Sequence, residues 1–278
     1  IARWAGIDVR DVSFAAMKDR HALTTQRFSV RLPKKSSPDV SLLDTDELQV
    51  LEAVWHNRKL ARGALAGNSF TLMLRELAGG REQIEQTLQD IAARGVPNYF
   101  GEQRFGMEQA NVCKALGMFE GRRVDRAKRS IYLSAARSFL FNQVLAWRVE
   151  QGTWNKPLPG EVWMLEGTKS IFGPELLSDD IIARCAAMDI HPTGPMWGTG
   201  TLRSRDEVQL LESRLSAESP ELCRGLEKAE LHQERRALRL IPKNLSWRFE
   251  ADDVLELHFE LPPGAYATSV LAELGDFS

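Results

Sequence analysis

Gly67-Asn68-Ser69-Phe70-Thr71-Leu72-Met73-Leu74-Arg75 alternates in character, with Phe70, Leu72 and Leu74 falling on one face. A period of two is that of a strand with one buried side. The next stretch changes period. Over 81–93, Ile84, Leu88 and Ile91 recur at helical spacing, Gly95 ends the run and Pro97 prevents its resumption. Upstream, 12–16, 26–32 and 47–55 also read as strands. In 47–55, Leu48, Val50 and Val54 share a face and Leu51 breaks the alternation. Several strands followed by a helix, without βαβ alternation, predict an α+β fold on a largely antiparallel sheet.

From Gly95 onward the texture is helical, at 108–119, 134–151 and in a long charged stretch from 205 to about 240. The stretch 154–163, with Pro157 and Pro159, reads as irregular, and 191–198 as a structured loop. Strand character returns at 245–249 and 254–261, and Pro262-Pro263-Gly264 turns the chain into a short helix at 266–274. The last strands match the first in style and are expected to complete the same sheet. The reading is one domain from 1–94 and 241–278, interrupted by a mainly helical second domain at 95–240. A chain of 278 residues is long enough for two cores.

The formal net charge is −2, so an anionic partner would have to be held by local patches. Cys113, Cys185 and Cys223 form no C-x-x-C pair, and the five histidines show no ligand spacing, so neither a metal nor a disulfide framework is expected. No apolar run reaches the roughly 20 residues of a membrane span. A cytoplasmic monomer without cofactor is expected. The sequence starts at Ile1 without methionine, which reads as a piece of a longer product.

The densest chemistry lies in Phe14-Ala15-Ala16-Met17-Lys18-Asp19-Arg20-His21-Ala22, between two of the expected strands. A loop held by a sheet is where a reactive side chain is presented. Lys18 and Arg20 favour the charged form of Asp19, which suits a nucleophile or charge partner better than a proton donor. Read alone, the tripeptide is an exposed turn with incidental ion pairs.

Three basic stretches stand out. The loop 33–38, with Lys34 and Lys35, is either a solvated hairpin end or a phosphate contact, and 56–63 is a second basic turn. Arg122, Arg123, Arg126, Lys128 and Arg129 form the strongest cluster, a solvated face or an anion site. Gly63 and Gly67 are expected to bracket a close backbone approach. Asn142 and Gln143 are candidates for interdomain or RNA contacts, or plain helix surface. His258 is expected to face outward on its strand.

Taken together, Met17-Lys18-Asp19-Arg20-His21-Ala22-Leu23-Thr24, Gly67-Asn68-Ser69-Phe70 and Gly95-Val96-Pro97-Asn98-Tyr99-Phe100-Gly101-Glu102-Gln103-Arg104-Phe105-Gly106 resemble the TruD-type tRNA pseudouridine synthases. Leu133-Ser134-Ala135-Ala136-Arg137-Ser138, Phe141-Asn142-Gln143 and the ending 261–270 agree. The resemblance implies a pseudouridine-synthase sheet with an inserted TRUD domain, and an isomerase that converts a uridine in the tRNA D-stem, position 13, to pseudouridine. It makes Asp19 the catalytic aspartate and gives Asn68, Phe70 and Tyr266 to the uridine pocket. Lys18, Arg20, Arg122, Arg123, Arg126 and Arg129 would be contacts for the RNA. Tyr266 stands where the family often shows phenylalanine, and Ala15-Ala16 where it usually has Ala-Gly. The family's early Pro-x-Asp-Phe segment would lie before Ile1, so the chain as given is expected to be catalytically incomplete.

Without the resemblance Phe70 would be read as core. Two other functions compete with the isomerase. One is a tRNA-binding or folding module without catalysis. The other is an acid–base hydrolase using Asp19 and His21, for which the setting supplies no orienting partner.

Overall fold

The computed structural model describes residues 1–19, 21–33 and 36–276. The backbone divides into two compact units, Ile1–Asn68 and Ser69–Ser278.

The first unit is sparse in regular structure. It holds a single-turn helix α1 (Ala2–Ala5) and two strands, β1 (Val12–Phe14) and β2 (Phe28–Val30), which pair antiparallel with Ser13 opposite Ser29. Side chains tie the ladder together: the Ser13 and Ser29 hydroxyls are 2.7 Å apart, and the Phe14 and Phe28 rings meet edge-on at 6.0 Å. The strand expected at 47–55 does not form. Leu51, Val54 and Trp55 face solvent, and alternation without a partner ladder leaves nothing to hold an extended chain. Gly63 is glycine for its backbone, at φ 79°, and not for a close approach, because a Cβ there would meet nothing within 4 Å.

The second unit opens on β3 (Asn68–Leu74), whose first residue closes the preceding unit. Helix α2 (Arg81–Arg94) follows as predicted and ends on Gly95 at φ 73°. A Cβ at Gly95 would also lie 2.6 Å from the Leu240 carbonyl oxygen, so this position needs glycine twice over. The reason for the close approach is a short ladder. Strand β4 (Val96–Pro97) pairs antiparallel with a strand far downstream, Val96 opposite Leu240 and Pro97 opposite Arg239.

Between those two crossings run α3 (Ala110–Phe119) and α4 (Arg126–Glu150), the latter beginning eight residues before its expected start and capped by the Asp125 carboxylate on Lys128 N. Strands β5 (Trp163–Leu165) and β6 (Ile171–Phe172), helix α5 (Asp179–Ala186) and strand β7 (Ile190–Met196) come next. The expected loop at 191–198 is therefore mostly strand. The charged stretch after 205 is helical only in α6 (Asp206–Ala217) and α7 (Pro220–Lys228), before β8 (Glu234–Ala237) and β9 (Arg239–Leu240). The helices thus carry a four-stranded antiparallel sheet in the order β6-β5-β7-β8. Arg148 on α4 stitches the layer from within, donating to Glu161 at 2.9 Å and to the Thr153 and Lys156 carbonyls.

The chain then returns to β10 (Lys243–Ala251) and β11 (Val254–Leu261), an antiparallel hairpin, and to α8 (Ala267–Leu271). β11 lies between β10 and β3. It alternates fully: Leu255, Leu257 and Phe259 are 0% exposed, while His258 turns outward to the Thr71 hydroxyl. The late strands thus complete the sheet of β3, while β1 and β2 form a ladder of their own.

Two main cores follow from this arrangement. One gathers Leu74, Leu88, Ile91 and the inward residues of β11, with Val270. The other gathers Phe100, Ala135, Phe141, Leu145, Leu226 and Leu238. Each fully buried leucine or phenylalanine contributes about 1.5–3 kcal/mol. The fold is the expected α+β one.

Candidate active site

In the first unit, β1 runs out into Ala15-Ala16-Met17 and delivers Lys18 and Asp19. The turn is braced from outside: Gly63 N donates to the Ala15 carbonyl at 2.8 Å, and Leu60 N donates to the Ser29 hydroxyl at 2.9 Å. Lys59 closes the same strap by donating to the Arg10 carbonyl at 3.1 Å. Asp19 is exposed, and its Oδ1 accepts from the His21 amide at 2.9 Å, an Asx turn that sets the direction of the carboxylate. Met17 beside it is 87% exposed. A carboxylate presented in this way can act as a nucleophile or a base.

The ammonium of Lys18 does not pair with Asp19. It donates to Asn68 Oδ1 at 2.6 Å, bridging 50 residues of sequence to the first position of β3. Both side chains are half-buried. Arg20 lies outside the described residues, as do Lys34 and Lys35 of the basic loop.

In the second unit, Phe70 points to the inward face of β3. It stacks on Phe259 with centroids 5.4 Å apart and planes 28° from parallel, and stays half-buried. Tyr266, at the N-cap of α8, is also half-buried. Its hydroxyl accepts from Arg104 Nε at 2.9 Å, and Arg104 Nη1 donates to Ser134 Oγ at 2.9 Å. Phe100 stands between two guanidinium groups, Arg236 at 4.0 Å from its ring centre and Arg104 at 5.6 Å. Arg236 also donates to Asn98 Oδ1 at 2.6 Å and to the Gly264 carbonyl. Burial pushes Arg236 down to about 10, with the charge of Arg104 adding to the shift and Tyr266 opposing it.

Arg236 gave no sign in the sequence, and Asn98 appeared only as a member of the stretch 95–106, without a role. Arg236 falls in a stretch read as helical, and its partners lie far away along the chain. Arg104 was visible as the single arginine of an aromatic, glycine-rich loop, but its partners were not. Asn142 holds this loop. It accepts from Phe100 N and donates to Phe100 O, both at 3.0 Å.

Arg122 and Arg123 occupy the turn between α3 and α4, and Arg126 and Arg129 the first turn of α4; all four are exposed. Lys128 is paired with Asp125 at 3.4 Å. Cations at a helix N-terminus are unfavourable for the helix dipole, so folding of α4 gains nothing from them.

The family model for tRNA pseudouridine synthase D (TruD) matches residues 1–119 and 120–274. The chain belongs to the TruD family. It is 54% identical over 293 residues to the tRNA pseudouridine synthase D of Xanthomonas euvesicatoria, across 99% of this chain and 79% of that relative. The Hydrogenovibrio crunogenus protein of the same name is 45% identical over 277 residues, across 99% and 80%. A solved structure from Methanosarcina mazei, which also carries the name tRNA pseudouridine synthase D, superposes with a TM-score of 0.66 at 18% identity, covering 98% of this chain and 83% of that one. At that identity the superposition speaks for the fold alone. Membership of the TruD family makes the chain an enzyme, an isomerase. No described helix is long and apolar enough to cross a membrane.

Proposed function

We propose that the protein isomerises a uridine of tRNA to pseudouridine, at position 13 in the D-stem, with Asp19 as the reacting carboxylate. The observation that carries this reading is Asp19 itself, in the Met17-Lys18-Asp19 stretch of a TruD-family chain, exposed on a turn braced from two sides. The reaction breaks N1–C1′, turns the base and forms C5–C1′; the proton leaving C5 is balanced by one gained at N1. A carboxylate serves it by attacking C1′ or the base, or by removing a sugar proton to give a glycal.

On this reading Asn68, Phe70 and Tyr266 contact the uridine. The half-exposed ring of Phe70 is suited to stacking on a flipped base, and extrusion costs a few kcal/mol. Phosphate contacts from Arg122, Arg123, Arg126 and Arg129, together with Arg20, would offset that cost. We further propose that 1–94 and 241–278 form the catalytic domain and 95–240 an inserted one. The β4–β9 ladder supports this division, because the chain enters and leaves the middle segment side by side. So do the two hydrophobic cores, one on each side of it.

Incubation of the full-length protein with unmodified tRNA, followed by mapping of pseudouridine, tests the reading. Conversion at position 13 is expected. Conversion elsewhere would refute the position, and binding without conversion would leave a tRNA-binding module.

A further inference from the structure

We propose that Lys18 is a positioning residue: it fixes the Asn68 amide so that the site reads the O4 and N3–H edge of uracil and rejects cytosine. The inference rests on the reading of Asn68 as a uridine contact.

The geometry is the 2.6 Å bond from Lys18 Nζ to Asn68 Oδ1. An amide can usually rotate end for end and offer either group to a ligand. Here it cannot. An ammonium has three donors and no acceptor, so only the amide oxygen can face it. A charge-assisted bond between half-buried groups is roughly twice as strong as a neutral one, and reversing the amide would set two donors against each other. The Asn68 NH2 is therefore committed to the opposite side, and the oxygen keeps a second lone pair.

That pattern, one donor beside one acceptor, is complementary to the O4 and N3–H of uracil. The NH2 donates to O4 and the oxygen accepts from N3–H. Cytosine presents an amine and a bare N3 at the same positions, so both contacts become repulsive. A bidentate side-chain-to-base pair discriminates by roughly tenfold to a hundredfold.

A phosphate contact is the competing role for Lys18, and the two predict different results. The experiment measures equilibrium binding of tRNA transcripts carrying uridine or cytidine at the target position, in an Asp19→Asn background so that nothing turns over. The background protein is expected to prefer uridine by about tenfold or more. Adding Lys18→Met should bring the ratio close to one while binding of the cytidine transcript changes little. Adding Lys18→Arg, which keeps the obligate donor, should restore the preference. Thermal melting checks each fold, and Lys18→Gln, which can donate or accept, replaces Lys18→Met if that variant does not fold; its ratio should fall partway. An unchanged ratio in Lys18→Met overturns the proposal. Equal weakening of both transcripts with a shallower salt dependence does so too, and assigns Lys18 to a phosphate. A background protein that shows no preference would instead refute Asn68 as a uridine contact, and this inference with it.

Discussion

Arg104 donates from Nε to the Tyr266 hydroxyl at 2.9 Å, joining the loop after β4 to the start of α8 across 162 residues of sequence. The same loop brings Gly101 against the ring: a Cβ there would lie 2.9 Å from Tyr266 Cδ1 and from Thr268 Oγ1. Tyr266 is thus held at its hydroxyl by a charge and along its edge by a glycine. The two restraints are separable. Tyr266→Phe removes only the hydroxyl, costing about 1 kcal/mol of stability and leaving turnover within about twofold. Gly101→Ala deletes no hydrogen-bonding group but forces the ring to move, and should lower turnover at least tenfold, since small displacements at a reacting site are costly. Steady-state kinetics and thermal melting of both variants check this. Equal turnover in Gly101→Ala and the parent would remove Tyr266 from the uridine contacts.

The exposed arginines around the start of α4 make a second expectation. Replacing Arg122, Arg123 and Arg126 with alanine should weaken tRNA binding and flatten its dependence on salt. Each lost phosphate contact removes somewhat less than one unit from the slope of log K against log salt. The fold should tolerate the change, because these side chains are exposed and the cap of α4 comes from Asp125. Binding titrations at several salt concentrations decide it. Parallel lines for mutant and parent would leave the cluster as a solvated surface.

Glu166 gives a pH dependence. His191 Nε2, 2.9 Å away, and Lys243 Nζ, 3.1 Å away, hold its carboxyl well below the usual range, at about 2, with the hydrogen bond to His191 the largest cause and burial opposing. Arg239 Nε donates to His191 Nδ1 at 2.9 Å, so the histidine must carry its hydrogen on Nε2 and donate to Glu166. A depressed folded-state value means stability that is present above the unfolded value of about 4.5 and lost as pH falls toward about 2. Glu166→Gln should therefore lower the melting temperature at neutral pH, and the gap to the parent should close between about pH 4.5 and 2. A gap that stays constant on acidification would show that the carboxylate charge is not what the site uses.

How much of this could be read from the sequence depended on period. β3, α2 and the β10–β11 hairpin bury one face each, so alternation or helical spacing announced them. β7 was hidden because it is buried on both faces and carries Pro192, Gly194 and Pro195. Gly194 looks like a turn residue, yet a Cβ there would come within 3.0 Å of Phe141 and Leu238, so its smallness serves packing. The stretch 47–55 failed in the opposite way, since its pattern alternates but its partner ladder is absent among the described residues. For the candidate site, Asp19, Asn68, Phe70 and Tyr266 came from short motifs. Their supports, Lys18 on Asn68 and Arg104 on Tyr266, are contacts between distant segments that no local pattern encodes.

Asp19→Asn tests the chemistry most directly. The substitution keeps the side-chain volume and the oxygen that accepts from His21 N, so the turn and its 2.9 Å bond should survive. It removes the charge and most of the nucleophilicity. If the carboxylate reacts, single-turnover conversion with saturating enzyme falls below detection while tRNA affinity changes little, because the Lys18–Asn68 bond is untouched and the phosphate contacts lie elsewhere. A purely electrostatic carboxylate would leave measurable conversion, reduced by about two to three orders of magnitude, as typical single-group deletions do. A structural role would lower the melting temperature instead, with activity recovering on cooling. The three outcomes separate in one set of measurements: single-turnover conversion, tRNA binding and thermal melting. Near-normal conversion by Asp19→Asn would remove Asp19 from the reaction.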